Sequence, residues 1–444
     1  MKQPTVAILA LLFLSAGCGT KHIERAPESM DIEIPAFEIS AEVLDNSASV
    51  VLYGQLKSHD LVKEFYKRNG HRSVWVNEEG IMPIGDSMIA MVEASQYHGL
   101  NPDDYHSQFL KKEEAVNWKD DDRTPQIIDV ILTDAHLTIS HHAFYGKSIP
   151  DSVDGEWFLK REDSLAAVDF LMKCLKEQQV QKNFYHLFPQ NEAYKKLKTA
   201  LAHFREIESS TQPKIDTGVT LKPGMADAKR VRDLKRLLFF TKDLPDTILV
   251  GDSIYSDTLV HAVKHFQERN GLGVDGEIGK KTTAVLNQTI EQKITAIRAN
   301  LERWRWMPRE RPANRIEANI PEFKLRVFED DTVVLEMKTV VGRNSRRTPV
   351  FKAAMSYLML NPTWTVPPTI LERDILPQLR TNDNYLSEKN MRIVSLDGSP
   401  VYLDSLNLKK TSSRKFSSKY RIVKSAGASN DLGCAKFIFP NKHL

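Results

Sequence analysis

The chain has 444 residues, enough for several domains that each bury a core. Hydrophobic residues make up 41% and charged residues 27%, ordinary for globular protein. With 61 basic against 58 acidic residues the net charge is +3, which excludes a dedicated nucleic-acid binder, whose footprint is a strong basic excess.

The N-terminus reads as a targeting segment. Lys2 supplies a positive start, and Val6 to Leu14 is an unbroken apolar run too short to span a bilayer as a stable helix. Ser15-Ala16-Gly17-Cys18 follows. This resembles a bacterial lipoprotein signal, which implies lipidation of Cys18 and a membrane anchor in the cell envelope or periplasm. Ser15 departs from that pattern, which prefers Leu, and an ordinary secretory signal is the alternative. No later stretch is apolar enough for a transmembrane helix. Residues 19–48 are polar and punctuated by Pro27 and Pro35, as in a tether.

Residues 49–205 carry helical periodicity. Ile84, Met88, Met91 and Val92 share one face, and Val130, Leu132, Ala135, Leu137 and Ile139 fall within another apolar segment. Gly99 followed by Leu100-Asn101-Pro102 predicts a Schellman-type helix stop. Residues 206–217 are a polar linker. Residues 218–288 form a compact helical unit with faces Val231/Leu234/Leu237/Leu238 and Leu259/Val263/Phe266. In Phe266 to Gly279 (FQERNGLGVDGEIG), Gly271 is expected to end a helix. Gly276 and Gly279 are expected at positive φ, and Thr282 to Asn287 as the closing helix.

After Ile297 to Pro308 (IRANLERWRWMP), β signals take over. Phe323, Leu325 and Val327 alternate, as do Leu335, Met337, Thr339 and Val341, then Met355, Tyr357 and Met359, predicting a half-buried sheet. Residues about 370–425 are charged and loop-punctuated. Leu371 to Leu379 is predicted helical and Lys409 to Lys415 a solvated loop.

Three blocks carry a family resemblance: Val340-Val341-Gly342-Arg343, Thr348-Pro349-Val350-Phe351 and Asn361-Pro362-Thr363-Trp364-Thr365-Val366-Pro367-Pro368. They resemble the L,D-transpeptidase (YkuD-type) catalytic domain of large periplasmic members. Phe65-Tyr66, Val74-Trp75, Tyr97 to Tyr105 and Leu132 to Ala135 resemble their scaffold domain, and Phe266 to Gly279 their three-helix peptidoglycan-binding module. The resemblance implies a multidomain α+β protein. A mainly helical scaffold domain (49–205) and a peptidoglycan-binding domain (218–288) precede a partial, β-rich catalytic domain (296–444) with a capping insert. The implied partners are peptidoglycan stem peptides and glycan, with no cofactor, metal or nucleic acid.

In this family a Cys thiolate attacks the peptide bond after the third residue of a tetrapeptide stem. The acyl group then passes to the side-chain amine of a second stem. The chemistry needs a thiolate, a His to activate it and backbone donors for the oxyanion. The family supplies them from His-Gly and Ser/His-Gly-Cys-x-Arg motifs near the end of the domain, and neither occurs there in this sequence, which has no histidine from Phe266 to Lys442. Cys434, in Leu432-Gly433-Cys434-Ala435-Lys436, echoes the second motif. In register, however, Gly433 to Asn441 matches the strand that precedes the family's His. No catalytic residue is therefore assigned, the family His and Cys being expected beyond Leu444. A Cys434/His443 dyad is the alternative. Asn361 and Trp364 flank the expected cleft and are the candidate substrate-binding residues. The last domain is expected to be poorly packed, with an unpaired edge and exposed apolar strand faces. Two readings follow: a transpeptidase whose catalytic end is missing from this sequence, or an inactive peptidoglycan-binding lipoprotein.

Cys174 and Cys434 fall in different expected domains, so no disulfide is expected, and no zinc-like Cys/His spacing exists. His261 and His265 lie four apart on a predicted helix and are read as surface or core-edge residues.

Overall fold

A computed structural model describes residues 37–45, 55–113, 123–245, 253–406 and 411–440. The N-terminal apolar run, Cys18, the Lys409-Lys410 pair and His443 lie outside them. The chain divides into two compact units. One comprises residues 1–155 and 160–343, the other residues 156–159 and 344–444. The boundary at 343 differs from the sequence expectation, because the first hairpins of the expected catalytic domain group with the N-terminal residues.

In the first unit, α1 (His59–Arg68), α2 (Pro83–Ala94) and the short strands β1 (Val76–Asn77) and β2 (Gly80–Ile81) pack around α3 (Arg123–Tyr145). α3 is buried continuously from Ile127 to Ser140, which favours internal partners for its polar residues. Two carboxylates find them, whereas the His136 ring nitrogens and the Ser140 hydroxyl do not among the described residues. Asp129 accepts from the backbone N–H groups of Val74 (2.9 Å), Trp75 (2.7 Å) and Val76 (3.2 Å) and from the Tyr66 hydroxyl. Asp134 accepts from the N–H groups of Lys57 (3.2 Å) and Ser58 (2.7 Å), at the N-terminus of α1, and pairs with His106. The predicted stop at Gly99 is present. Gly99 has φ +77°, and Leu100 N–H donates back to Ser95 O at 3.2 Å.

α4 (Ala167–Glu177), α5 (Val180–Tyr185) and α6 (Glu192–Glu206) complete this layer. A second buried cluster gathers α7 (Ala228–Phe240), α8 (Asp257–Arg269) and α9 (Lys280–Leu286). Its core uses the predicted faces, with Val231, Leu234, Leu237, Leu238, Leu259 and Val263 fully buried. Buried Gln267 clasps the following turn, donating to Asp275 and Glu277 O and accepting from Gly276 N–H. Gly276 is at φ +76°, but Gly279 is at φ −89° and serves as the N-cap of α9, which corrects the expectation of a left-handed residue there.

α10 (Ile290–Trp306) opens with a capping box, Thr289 and Gln292 bonding each other's backbone N–H. Ile290, Ile294 and Leu301 join the core around α3, and Arg305 is buried, so this helix belongs to the packing of the scaffold region. β3 (Arg315–Asn319), β4 (Lys324–Glu329) and β5 (Thr332–Lys338) then form an antiparallel meander in register Ile316–Val327–Leu335. β4 is half-buried as predicted, but β5 is exposed at every residue. Phe323 lies outside the strand, in a turn at φ +57°.

The second unit contains β6 (Tyr357–Leu360) paired with β11 (Ala435–Ile438), and a sheet ordered β7–β10–β8–β9. The strands of that sheet are β7 (Trp364–Thr365), β8 (Met391–Ser395), β9 (Pro400–Val401) and β10 (Tyr420–Lys424). Its own core buries Val366, Leu371, Ile375, Leu376, Leu379, Ile393, Phe416 and Ile422. The predicted helix at 371–379 is present but interrupted. Leu371–Ile375 forms a wide turn before Pro377, whose missing N–H cannot continue an α-helical ladder. β6 is exposed at all four residues. Residues 156–159 reach this unit from afar. Phe158 N–H donates to Val350 O (2.7 Å) and Val350 N–H to Glu156 O (2.8 Å).

Candidate functional site

The two residues singled out as substrate contacts lie in the second unit, on one short strap between β6 and β7. Asn361 turns the chain at φ +46°, a left-handed position that Asn tolerates better than most residues. Its N–H donates to Cys434 O at 2.9 Å, extending the β6–β11 ladder by one bond. Pro362 is buried. Trp364 opens β7 opposite Lys424 of β10 and lays its half-buried ring against the cluster around Ile393. Asn361 and Trp364 are therefore held in one segment, anchored at both ends by strand pairing.

What fixes the middle of the strap is Asn430, which the sequence reading did not single out. It is 5% exposed. Its Nδ2 donates to Pro362 O (3.0 Å) and Ser425 O (2.9 Å), and its Oδ1 accepts from Leu432 N–H (2.9 Å). The run Gly427-Ala428-Ser429-Asn430-Asp431 carries only a generic turn signal, and the partner at Pro362 is 68 residues away. Lys424, nearly buried, pairs with Asp431 at 2.8 Å and closes the same loop.

Cys434 sits in the turn that enters β11, with an exposed side chain and a carbonyl engaged by Asn361. No histidine lies among the described residues of this unit. The arrangement thus places an exposed thiol beside the strap, at the turn into β11, with no histidine described near it. Cys174 is buried in α4, its thiol pushed up to about 12 by burial, and it is a free cysteine like Cys434.

The other described histidines lie in the first unit. His265 is largely exposed and bonds Asp243 at 2.9 Å, and His261 is exposed. His142 meets the Tyr105 hydroxyl at 3.0 Å and is lowered to about 4 by burial. His98 stacks on Phe188 with ring centroids 3.7 Å apart. Among the described residues no group of three or more His, Cys, Asp or Glu could hold a metal ion, and no helix is long and apolar enough to cross a membrane.

Comparison with known families gives three consecutive matches. Residues 60–201 match the scaffold domain, residues 229–286 the "Putative peptidoglycan binding domain", and residues 313–444 the L,D-transpeptidase catalytic domain. A Haemophilus influenzae (strain ATCC 51907 / DSM 11121 / KW20 / Rd) protein named "Putative L,D-transpeptidase" is 37% identical over 128 residues. That match spans 29% of this chain and 25% of the relative's length.

Proposed function

We propose that this chain, in which a scaffold domain and a peptidoglycan-binding domain precede an L,D-transpeptidase catalytic domain, acts at the cell envelope in peptidoglycan crosslinking. The observation that carries the reading is the catalytic-domain match over residues 313–444. It favours acyl transfer over a purely binding role. The reaction would release the residue after the third position of a donor stem as a Cys thioester forms, then return the thiol as an acceptor amine takes the acyl group. Stem peptides would lie along the Asn361–Trp364 strap, and residues 218–288 would hold the polymer. Lipidation at Cys18 would anchor the protein to the membrane. Cys434 is not assigned as the nucleophile, since it has the register of a strand entry and lacks a described base.

The test is incubation of the protein from its native source with disaccharide-tetrapeptide, read by mass spectrometry for crosslinked dimers, alongside mapping of a carbapenem adduct. Dimers with an adduct on a cysteine other than Cys18, Cys174 and Cys434 support the reading. An adduct at Cys434, lost in Cys434→Ser, would overturn the register argument. Sedimentation with sacculi but no dimers and no adduct would leave only the peptidoglycan-binding role.

A further inference from the structure

A cleft of about 280 Å³ opens in the first unit, between the turn after Gly99, the start of the segment after α3, and the outer face of α10. Its polar lining includes Asn101, Asp104, Lys147, Thr295, Arg298 and Glu302. The volume is at the lower end of small-ligand sites, suited to an amino acid or the end of a peptide.

The charges in this cleft do not cancel. Glu302 is fully engaged, accepting from Arg305 (2.6 Å), Trp306 Nε1 (3.1 Å) and Ser148 N–H (2.8 Å). Asp104 is engaged by Lys147 at 2.6 Å. Arg298 is different. Its Nε donates to Gly99 O at 3.0 Å, and neither Nη nitrogen has a hydrogen-bond or ion-pair partner among the described residues. The guanidinium is also placed firmly. Gly99 lies so close to α10 that a Cβ there would come within 3.1 Å of Leu301 and 3.4 Å of the Arg298 Cα. The backbone carbonyl that orients Arg298 is thus set by helix packing. An anchored Nε with two free coplanar Nη donors matches a carboxylate, and Thr295 and Asn101 add neutral hydrogen-bonding groups around it.

We propose that this cleft is a carboxylate-binding subsite, taking the carboxylate of a peptide or amino acid on Arg298. Its expected source is a peptidoglycan stem peptide, an assignment that rests on the proposed function; a free amino acid shares the same chemistry.

The test titrates the full chain calorimetrically with three probes: a synthetic stem tetrapeptide, the same peptide amidated at every carboxylate, and free D-alanine. Sedimentation with sacculi is measured in parallel. The tetrapeptide is expected to bind saturably. Amidation and Arg298→Met should each weaken it about ten- to hundredfold, the range for a hydrogen bond to a charged group. Arg298→Lys should fall between, since it keeps charge without the fork. Ala299→Trp, on the exposed rim, should block the cleft without touching the charges. D-Alanine binding as tightly as the tetrapeptide, still dependent on Arg298, would support the subsite and reassign its source. A tetrapeptide affinity unchanged within twofold in Arg298→Met, or no saturable binding of any probe, overturns the proposal. If sacculi still sediment the protein in that case, the peptidoglycan reading stands alone. If sacculi do not but Arg298-dependent D-alanine binding persists, the subsite stands and the peptidoglycan reading falls.

Discussion

Asp129 illustrates how one buried side chain can set a local fold. Its carboxylate collects three successive backbone N–H groups at Val74–Val76 and the Tyr66 hydroxyl. Asp129→Ala would leave these donors buried and unsatisfied, at a cost on the order of 3–5 kcal/mol, measurable by urea unfolding. Burial pushes the Asp129 carboxyl up from 3.8 to about 6. The folded state therefore holds a proton that the unfolded chain has already lost. The resulting stabilisation is fully present below about pH 4 and is lost as pH rises through 6, so stability should fall over that window. In Asp129→Asn that slope should vanish, although the protein is weaker overall. Cysteine reactivity gives a second test. A thiol reagent should label exposed Cys434 in the native protein and Cys174 only after denaturation, because Cys174 is buried with its thiol pushed up to about 12. Neither carboxylate of α3 announced its role in sequence. Asp129 and Asp134 look like breaks in an apolar run, and their partners lie 28 to 77 residues away. The same holds for Asn430 and Arg298, whose roles depend on a distant carbonyl.

At the level of elements, punctuation residues were the legible part. The Gly99 stop, the two apolar faces of the 218–288 unit and the closing helix follow from local rules of spacing and backbone conformation. Gly279 was misread because glycine also serves as an N-cap, with ordinary φ. Gly276 is the stricter position. A Cβ there would meet Val260 Cγ1 at 2.9 Å, and its φ of +76° already disfavours any other residue. Gly276→Ala should therefore cost about 1–3 kcal/mol by thermal melting. Thr289→Ala removes one arm of the capping box and should cost about 1 kcal/mol, with faster amide exchange in the first turn of α10. The sheet prediction failed differently. Alternation identified β4, β5 and β6, but period-2 patterning says which residues share a face, not whether anything covers it. β5 and β6 are exposed throughout.

At the scale of the whole molecule, the described residues bury three clusters in place of a single core: one around α3, one around α7 and α8, and one around Ile393. Unfolding should not be a single transition, and stability should be uneven. Amides of β5 and β6 should exchange well before those of α3 between Ile127 and Ser140 in native-state hydrogen exchange. Uniform protection across these elements would contradict that ranking. The two-unit division also bears on inheritance. Because Glu156 and Phe158 pair with Val350, the second unit is encoded in two separated stretches of the gene. A single recombination breakpoint near codon 343 would transplant Val350 while leaving its pairing segment behind. Such a unit is inherited intact only when codons 156–159 and 344–444 travel together, so shuffling by simple tail exchange works against it, whereas duplication of the whole array does not.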